Sequence, residues 1–258
     1  MTIRTVFVQA RNVARSADFY AKHLGGVVVS QTAERAVLDF VTASLDIRHL
    51  ASGVPSAWQE DDINRGYRHI GFKVASVRDI AEGLRAEHVP FRTEPIFSEV
   101  GQVMLAFFFD PDGTVVEIVE GDLVYDTVMD HDLVVAERQM GVPARPRFDH
   151  VAHTVADVER AAAFFGPLGF QRMGTLFYGN GVGWTFDYLR GGGSVIELFS
   201  FDVPTSPSPR LVDAYGFLAV ELSGPVPAGA SVVGTLADGV EVYADACDLL
   251  FTIVQPVS

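Results

Sequence analysis

Four residues in two matched pairs carry the chemistry legible in this sequence. His69 opens the alternating run His69-Ile70-Gly71-Phe72-Lys73-Val74, and Glu117 lies within Val115-Val116-Glu117-Ile118-Val119. His150 opens His150-Val151-Ala152-His153-Thr154-Val155, and Glu197 lies within Val195-Ile196-Glu197-Leu198-Phe199. The members stand 48 residues apart in the first pair and 47 in the second. A histidine and a glutamate on strand-like apolar runs, repeated at nearly one spacing, imply a duplicated unit that aims two imidazoles and two carboxylates at one place. Such a nitrogen and oxygen set suits a divalent metal. A carboxylate among apolar strand residues needs a metal, a base or a solvated cleft, because burying it unpaired is costly.

Strand alternation turns positions 69, 71 and 73 to one face and 70, 72 and 74 to the other. Ile70, Phe72 and Val74 then pack under a helix and His69 looks into a cleft. Lys73 shares that face and is expected at the rim. His153 falls opposite His150 and reads as structural. Tyr20, Phe107, Phe109, Trp184, Phe186 and Tyr188 are the aromatic candidates for lining the cleft, with core packing the default for most of them. His23, His49, His88 and His131 sit at helix ends or in loops and are expected to be solvated.

The elements that must position these residues form four units of roughly 50 residues, each reading as strand, helix and then strands. In the first, Asn12 caps a helix that Gly25-Gly26 stops. In the second, which starts at Tyr67, Ser76-Val77-Arg78-Asp79 opens the helix, and Asp110-Pro111-Asp112-Gly113 is a tight turn leading into the Glu117 strand. Residues 121–146 break the repeat and read as a connector with a short helix. The third unit starts at Arg147 with Asp157 as its cap. The fourth starts near Tyr215, and its helix is eroded to Pro225-Val226-Pro227-Ala228-Gly229-Ala230. This pattern predicts an α+β fold of tandem βαβββ modules with curved mixed sheets around a metal-binding cleft. Residues 1–122 form the first half, 123–146 the connector and 147–258 the second half. Gly179-Asn180-Gly181-Val182-Gly183 precedes a strand, so it reads as a turn and not as a phosphate loop.

Composition narrows the function. The chain has 258 residues, 48% of them hydrophobic and 20% charged, ordinary values for a globular protein. No apolar run approaches membrane-spanning length and no signal peptide is evident, so a cytoplasmic location is expected. Cys247 is the single cysteine, which excludes an internal disulfide and reads as a small core residue. A formal charge of −14 argues against nucleic acid and anionic membrane surfaces and permits a cationic ligand.

Taken together, these residues resemble the vicinal oxygen chelate superfamily, the glyoxalase I and extradiol dioxygenase fold. The matching features are the pattern His-x-x-x-x-Val-x-(Ser/Asp)-Val at His69 and at His150, the helical Phe-Tyr or Phe-Phe before Leu and Gly, and Asp110-Pro111-Asp112-Gly113-Thr114-Val115-Val116-Glu117. The resemblance implies paired modules curling round a cleft, with His69, Glu117, His150 and Glu197 as ligands of one divalent ion (Zn, Ni, Co, Mn or Fe). Thr5 and Asp46 take the ligand positions in the first unit, and Phe217 and Thr252 in the fourth. The ligand distribution then predicts that unit two faces unit three, within one chain or across a homodimer. Four protein ligands leave two open positions for vicinal oxygens. The resemblance therefore implies a metal-dependent isomerase, epimerase or glyoxalase-type lyase acting on a small α-hydroxy ketone, a keto-sugar or cyclitol among them, with Glu117 or Glu197 as the acid/base. An extradiol dioxygenase and a metal-free drug-sequestering protein are the alternatives.

Overall fold

The computed structural model describes residues 2–55, 63–179, 183–207, 211–245 and 248–254. Cys247, the acidic cluster at 60–62 and the middle of the glycine-rich turn at 179–183 lie outside them. The first module comprises β1 (Ile3–Ala10), α1 (Val13–Leu24), β2 (Val27–Gln31), β3 (Arg35–Asp39) and β4 (Ser44–His49). The second comprises β5 (Gly66–Lys73), α2 (Val77–Ala86), β6 (Phe91–Ser98), β7 (Val103–Phe109) and β8 (Val115–Glu120). The connector contributes β9 (Thr127–Val128) and α3 (His131–Arg138). The third module comprises β10 (Arg147–Thr154), α4 (Val158–Phe165), β11 (Gln171–Tyr178), β12 (Trp184–Gly191) and β13 (Ser194–Phe201). The fourth is strands alone among the described residues: β14 (Gly216–Ser223), β15 (Ser231–Thr235), β16 (Glu241–Ala244) and β17 (Leu250–Val254).

The expected caps hold the helix starts. The Asn12 side chain accepts from the Arg15 N–H, Ser76 from Asp79 and Asp157 from Arg160, each satisfying a backbone donor that the helix itself cannot. Gly25 ends α1 in the left-handed region at φ 62°, which glycine enters without a Cβ penalty. No described helix is long and apolar enough to cross a membrane.

Two mixed sheets result. One runs β15-β16-β17-β14-β1-β4-β3-β2, the other β6-β7-β8-β5-β10-β13-β12-β11-β9. Each joins one module from each half of the chain through an antiparallel pairing of first strands, β1 with β14 and β5 with β10. Modules two and three thus share a sheet within one chain, as the ligand distribution predicts. Inside each module the first and last strands pair in parallel: β1 with β4, β5 with β8, β10 with β13 and β14 with β17. That pairing sets a residue near the start of each module beside one near its end.

The apolar faces meet in one main core with two smaller clusters beside it. Ile70, Phe72 and Val74 are buried there with Phe40, Tyr20 and Phe148, each large side chain contributing roughly 2 kcal/mol through removal of its surface from water. The Asp110–Gly113 turn ties the second module to α1 of the first. Asp110 Oδ1 accepts the N–H groups of Asp112 at 2.9 Å and Thr114 at 2.7 Å. The Tyr20 hydroxyl donates to Asp110 Oδ2 at 2.9 Å and the Ser16 hydroxyl to Asp112 Oδ2 at 2.6 Å. Burial pushes the Asp110 carboxyl up to about 6, against the pull of those hydrogen bonds. Tyr20 therefore serves this joint and not the cleft.

Candidate metal centre

The seam between β5 and β10 brings the four residues together. His69 stands opposite Ala152 and His150 opposite Gly71. In the parallel pairings Glu117 lies beside Gly71 and Glu197 beside Ala152. Each imidazole therefore has a very small residue facing it across the seam. A Cβ on Gly71 would fall 2.1 Å from His150 Cε1, so the ring occupies space that only glycine leaves open.

The donor atoms converge. His69 Nε2 lies 3.1 Å from His150 Nε2, 3.2 Å from Glu117 Oε2 and 3.4 Å from Glu197 Oε2. His150 Nε2 lies 2.8 Å from Glu117 Oε2 and 3.6 Å from Glu197 Oε2. One ligand atom from each of the four lies within 4.8 Å of all the others, and all four residues are buried. With metal–ligand bonds of about 2.1 Å, neighbouring donors stand about 3.0 Å apart in an octahedron and about 3.4 Å in a tetrahedron. The observed spacings bracket both values. Charge agrees as well: two carboxylates with two neutral imidazoles carry −2, which one divalent ion balances in a site where unpaired charge is costly.

A turn of the backbone strengthens the case. Along the seam the register steps from Phe148↔Phe72 to His150↔Gly71, leaving Asp149 as an extra, bulged residue. A bulge breaks alternation and re-aims a side chain, so Asp149 comes to the same side as its neighbour. Its Oδ2 lies 3.2 Å from His150 Nδ1 and its Oδ1 accepts from Arg147 at 2.6 Å. A carboxylate only accepts, so Nδ1 donates and His150 turns Nε2 toward Glu117. There Nε2 needs either a second proton or a cation in front of its lone pair. Without a metal the second proton is the answer. Burial alone lowers the His150 pKa, but Asp149 and Glu117 raise it well above the ordinary value. Burial raises Glu117, but hydrogen bonds from His150 and His69 outweigh it and hold the carboxyl at about 2. With a cation in place the same geometry is a carboxylate–histidine–metal relay.

The two glutamates are held differently. Tyr188, opposite Glu197 in the β12–β13 pair, donates its hydroxyl to Glu197 Oε1 at 2.5 Å. The matching place opposite Glu117 in the β7–β8 pair is Phe107, which has no hydroxyl.

A cavity of about 450 Å³ opens over the centre. Phe107, Trp184, Phe186 and Tyr188 line it, whereas Phe109 lines a separate groove beside α1. Lys73 lines the cavity too, but it is buried rather than at a rim, donating to the Gly121 carbonyl and lying 3.9 Å from Asp122. His153 is buried against the Tyr67 ring, 5.4 Å between centroids, a structural position as expected. His23 is not solvated: its side chain is 6% exposed, with Nε2 3.3 Å from Glu87. Sequence reasoning missed the connector's part. Tyr125 stacks edge-on to Tyr188 at 5.3 Å and donates to Glu137 of α3 at 3.0 Å, and Glu137 reaches the cavity wall.

The β1–β14 seam repeats this plan without the donors. Thr5 and Glu221 pair as His69 and Ala152 do, and Phe7 and Ala219 pair as Gly71 and His150 do. The fourth-module counterpart of the histidine is therefore Ala219 and not Phe217. β14 is bulged at Leu218 as β10 is at Asp149, so Ala219, the fourth residue of β14, matches His150, the fourth of β10. Volume is exchanged across this seam: Phe7 is large where Gly71 is absent of side chain, and Ala219 is small where His150 is large. Asp46 and Thr252 do occupy the glutamate positions. Arg35 holds Asp46 through Nε at 2.9 Å and a second nitrogen at 2.8 Å, and Arg48 adds two contacts at 3.2 and 3.0 Å, so side-chain cations replace an ion here.

Comparison with known proteins agrees with this geometry. The family model described as the Glyoxalase/Bleomycin resistance protein/Dioxygenase superfamily matches residues 2–118 and 147–249. Glyoxalase I from Zea mays superposes with a TM-score of 0.67 at 15% identity, over 98% of this chain and 92% of that one. A Bacillus subtilis chain provisionally called a dioxygenase superposes at 0.64 and 15% identity, over 100% of this chain and 86% of its own. At these identities the likeness is one of fold. Comparison with curated protein sequences gives no match.

Proposed function

The chain belongs to the Glyoxalase/Bleomycin resistance protein/Dioxygenase superfamily, and on that premise we propose that it is a divalent-metal-dependent isomerase or epimerase that enolises a small α-hydroxy ketone. Keto-sugars and cyclitols are members of that substrate class. His69, His150, Glu117 and Glu197 hold the ion. The observation that carries the reading is the convergence of these four buried donors at ligand spacing, with Asp149 orienting His150 from behind.

Bound there, a Zn, Ni, Co, Mn or Fe ion would supply Lewis acidity to two vicinal oxygens and acidify the proton on the hydroxyl-bearing carbon next to the carbonyl. The residues do the rest. A glutamate oxygen takes that proton, the C–H electron pair becomes the carbon–carbon double bond of an enediolate, and the carbonyl π pair moves onto its oxygen. Return of the proton to the neighbouring carbon isomerises the substrate, and return to the opposite face of the same carbon epimerises it. Either glutamate can be that base. The Tyr188 hydroxyl holds Glu197, while the two imidazoles hold Glu117.

A ring-cleaving dioxygenase is the second reading, favoured by the aromatic lining. Four protein donors weigh against it, since a bidentate catechol would fill an octahedron and leave no position for O₂. The test is elemental analysis of protein purified without chelator, then proton NMR of α-hydroxy ketones in D₂O with the metal-loaded protein. Stoichiometric metal and enzyme-dependent exchange of the α-proton are expected. Failure to take up any divalent ion overturns the reading, and O₂ uptake with catechols favours the other.

A further inference from the structure

One buried carboxylate on the cavity wall has no part in the chemistry above. Glu137, on the connector helix α3, lines the cavity and is 8% exposed. Among the described residues its side chain makes a single hydrogen bond, from the Tyr125 hydroxyl to Oε2 at 3.0 Å, and no ion pair. The other oxygen, Oε1, accepts nothing from them, yet it is not sealed inside protein. Nearby carboxylates are better matched. Asp149 is held by Arg147 and His150, and Asp187 by Arg172.

The position is a costly one for a carboxylate. Burial and the charge of Asp149 push the Glu137 pKa up, against the pull of Lys73, the Tyr125 hydroxyl and Arg190. The residue also sits in the last turn of α3, where the helix dipole presents its negative end. Glutamine would accept the same bond from Tyr125 without these costs. Breaches of local rules of this kind gather at functional sites. A buried carboxylate with one neutral partner and one open oxygen calls for a donor from outside the chain. A hydroxyl suits either protonation state, since it donates to a carboxylate and accepts from a carboxylic acid. Much of the remaining wall is ring and hydrocarbon, Phe107, Trp184, Phe186 and Leu105 among it, which suits a flat apolar body.

We propose that Glu137 is a specificity-determining residue that receives a hydroxyl on an aromatic substrate body, a third oxygen beyond the vicinal pair. The vicinal pair rests on the metal reading above; the third oxygen rests on Glu137 and the cavity alone. The probes are 2-hydroxyacetophenone and its 3′-hydroxy and 4′-hydroxy derivatives. Binding of each is measured by calorimetry with the full chain, with and without Zn. The tighter of the two ring-hydroxylated probes is expected to exceed the parent at least about tenfold in affinity. Glu137→Leu should erase that step and leave binding of the parent unchanged. Glu137→Gln keeps a hydrogen bond but not the charge, and should retain part of the step. Glu137→Gln should also leave the melting temperature of the ligand-free protein unchanged or raise it, because the carboxylate is held at a cost to the fold. Equal affinity for the parent and both derivatives in the wild type, a preference that survives Glu137→Leu, or no binding of any probe overturns the proposal. A lower melting temperature in Glu137→Gln overturns it as well, since the charge would then be structural. If the hydroxyl preference stands but Zn changes no affinity, the metal reading fails and the Glu137 inference remains.

Discussion

Replacing Gly71 with alanine should unmake the metal centre while sparing the fold. The backbone there is not in the left-handed region, so alanine brings no conformational penalty of its own. Its Cβ would, however, sit 2.1 Å from His150 Cε1 and 2.4 Å from both ring nitrogens. An ordinary carbon–carbon contact is about 3.5 Å, so the ring must retreat by roughly 1.4 Å. Ligand distances tolerate about 0.2 Å, and His150 ceases to be a donor. The retreat also breaks its 3.2 Å contact with Asp149. Loss of one oriented ligand should weaken metal binding at least about hundredfold, some 3 kcal/mol. The assay is competition with a chromophoric chelator, read beside the melting temperature of the metal-free protein. Gly83→Ala is the control. Nothing lies within 4 Å of its would-be Cβ on α2, so it should leave metal binding alone and add about 0.5–1 kcal/mol of stability. A Gly71→Ala protein that keeps its metal affinity within twofold would refute the assignment of His150 as a ligand.

Asp149→Asn keeps the shape beside His150 but removes the charge, and should lower metal affinity about 10–100-fold; unchanged competition with the same chelator would count against the relay. Tyr188→Phe frees Glu197 Oε1 and should cost about 1–2 kcal/mol of stability with a several-fold weaker metal, measured by urea denaturation and chelator titration; no change in either would remove the basis for distinguishing the two glutamates. Asp110 titrates near 6 in the fold against an ordinary value near 4. The folded state therefore holds this proton more tightly, and stability is lost as pH rises between those values, by up to roughly 3 kcal/mol. The neutral Asp110→Asn should lack this loss, so its stability relative to wild type should improve from pH 4 to pH 7; a constant difference would contradict the burial argument.

The convergence of His69, Glu117, His150 and Glu197 was legible because duplication writes itself twice. A histidine at a strand start and a glutamate about 48 residues later would be weak evidence alone, and the second copy made it strong. Which modules share a sheet was readable from the same residues, since only the second and third carry both a histidine and a glutamate at these positions. Bulges were not readable. Asp149 and Arg68 act on the same side as the histidines that follow them, where simple alternation sends neighbours to opposite faces. Asp-His at the start of an apolar strand was the available signal for the first of these. Phe217 stood in for Ala219 because the fourth unit was counted from Tyr215 as the second is from Tyr67, whereas β14 starts at Gly216 and follows β10 in step. Gly71 and the Tyr125–Glu137 contact depend on pairings between distant segments, about which composition and periodicity are silent.

Covalent fusion of dissimilar halves has its own consequence at the β5–β10 seam. Two identical copies meeting there would have to furnish the same wall twice, so any residue favouring one end of a ligand would recur at the other. Here the equivalent bulges hold Arg68 on one strand and Asp149 on the other, and the equivalent faces hold Phe107 and Tyr188. A cation held by the four residues would meet a nearly two-fold environment; an organic molecule beside it would not. A lopsided ligand can then enter in a single orientation, and one chain suffices to impose that choice.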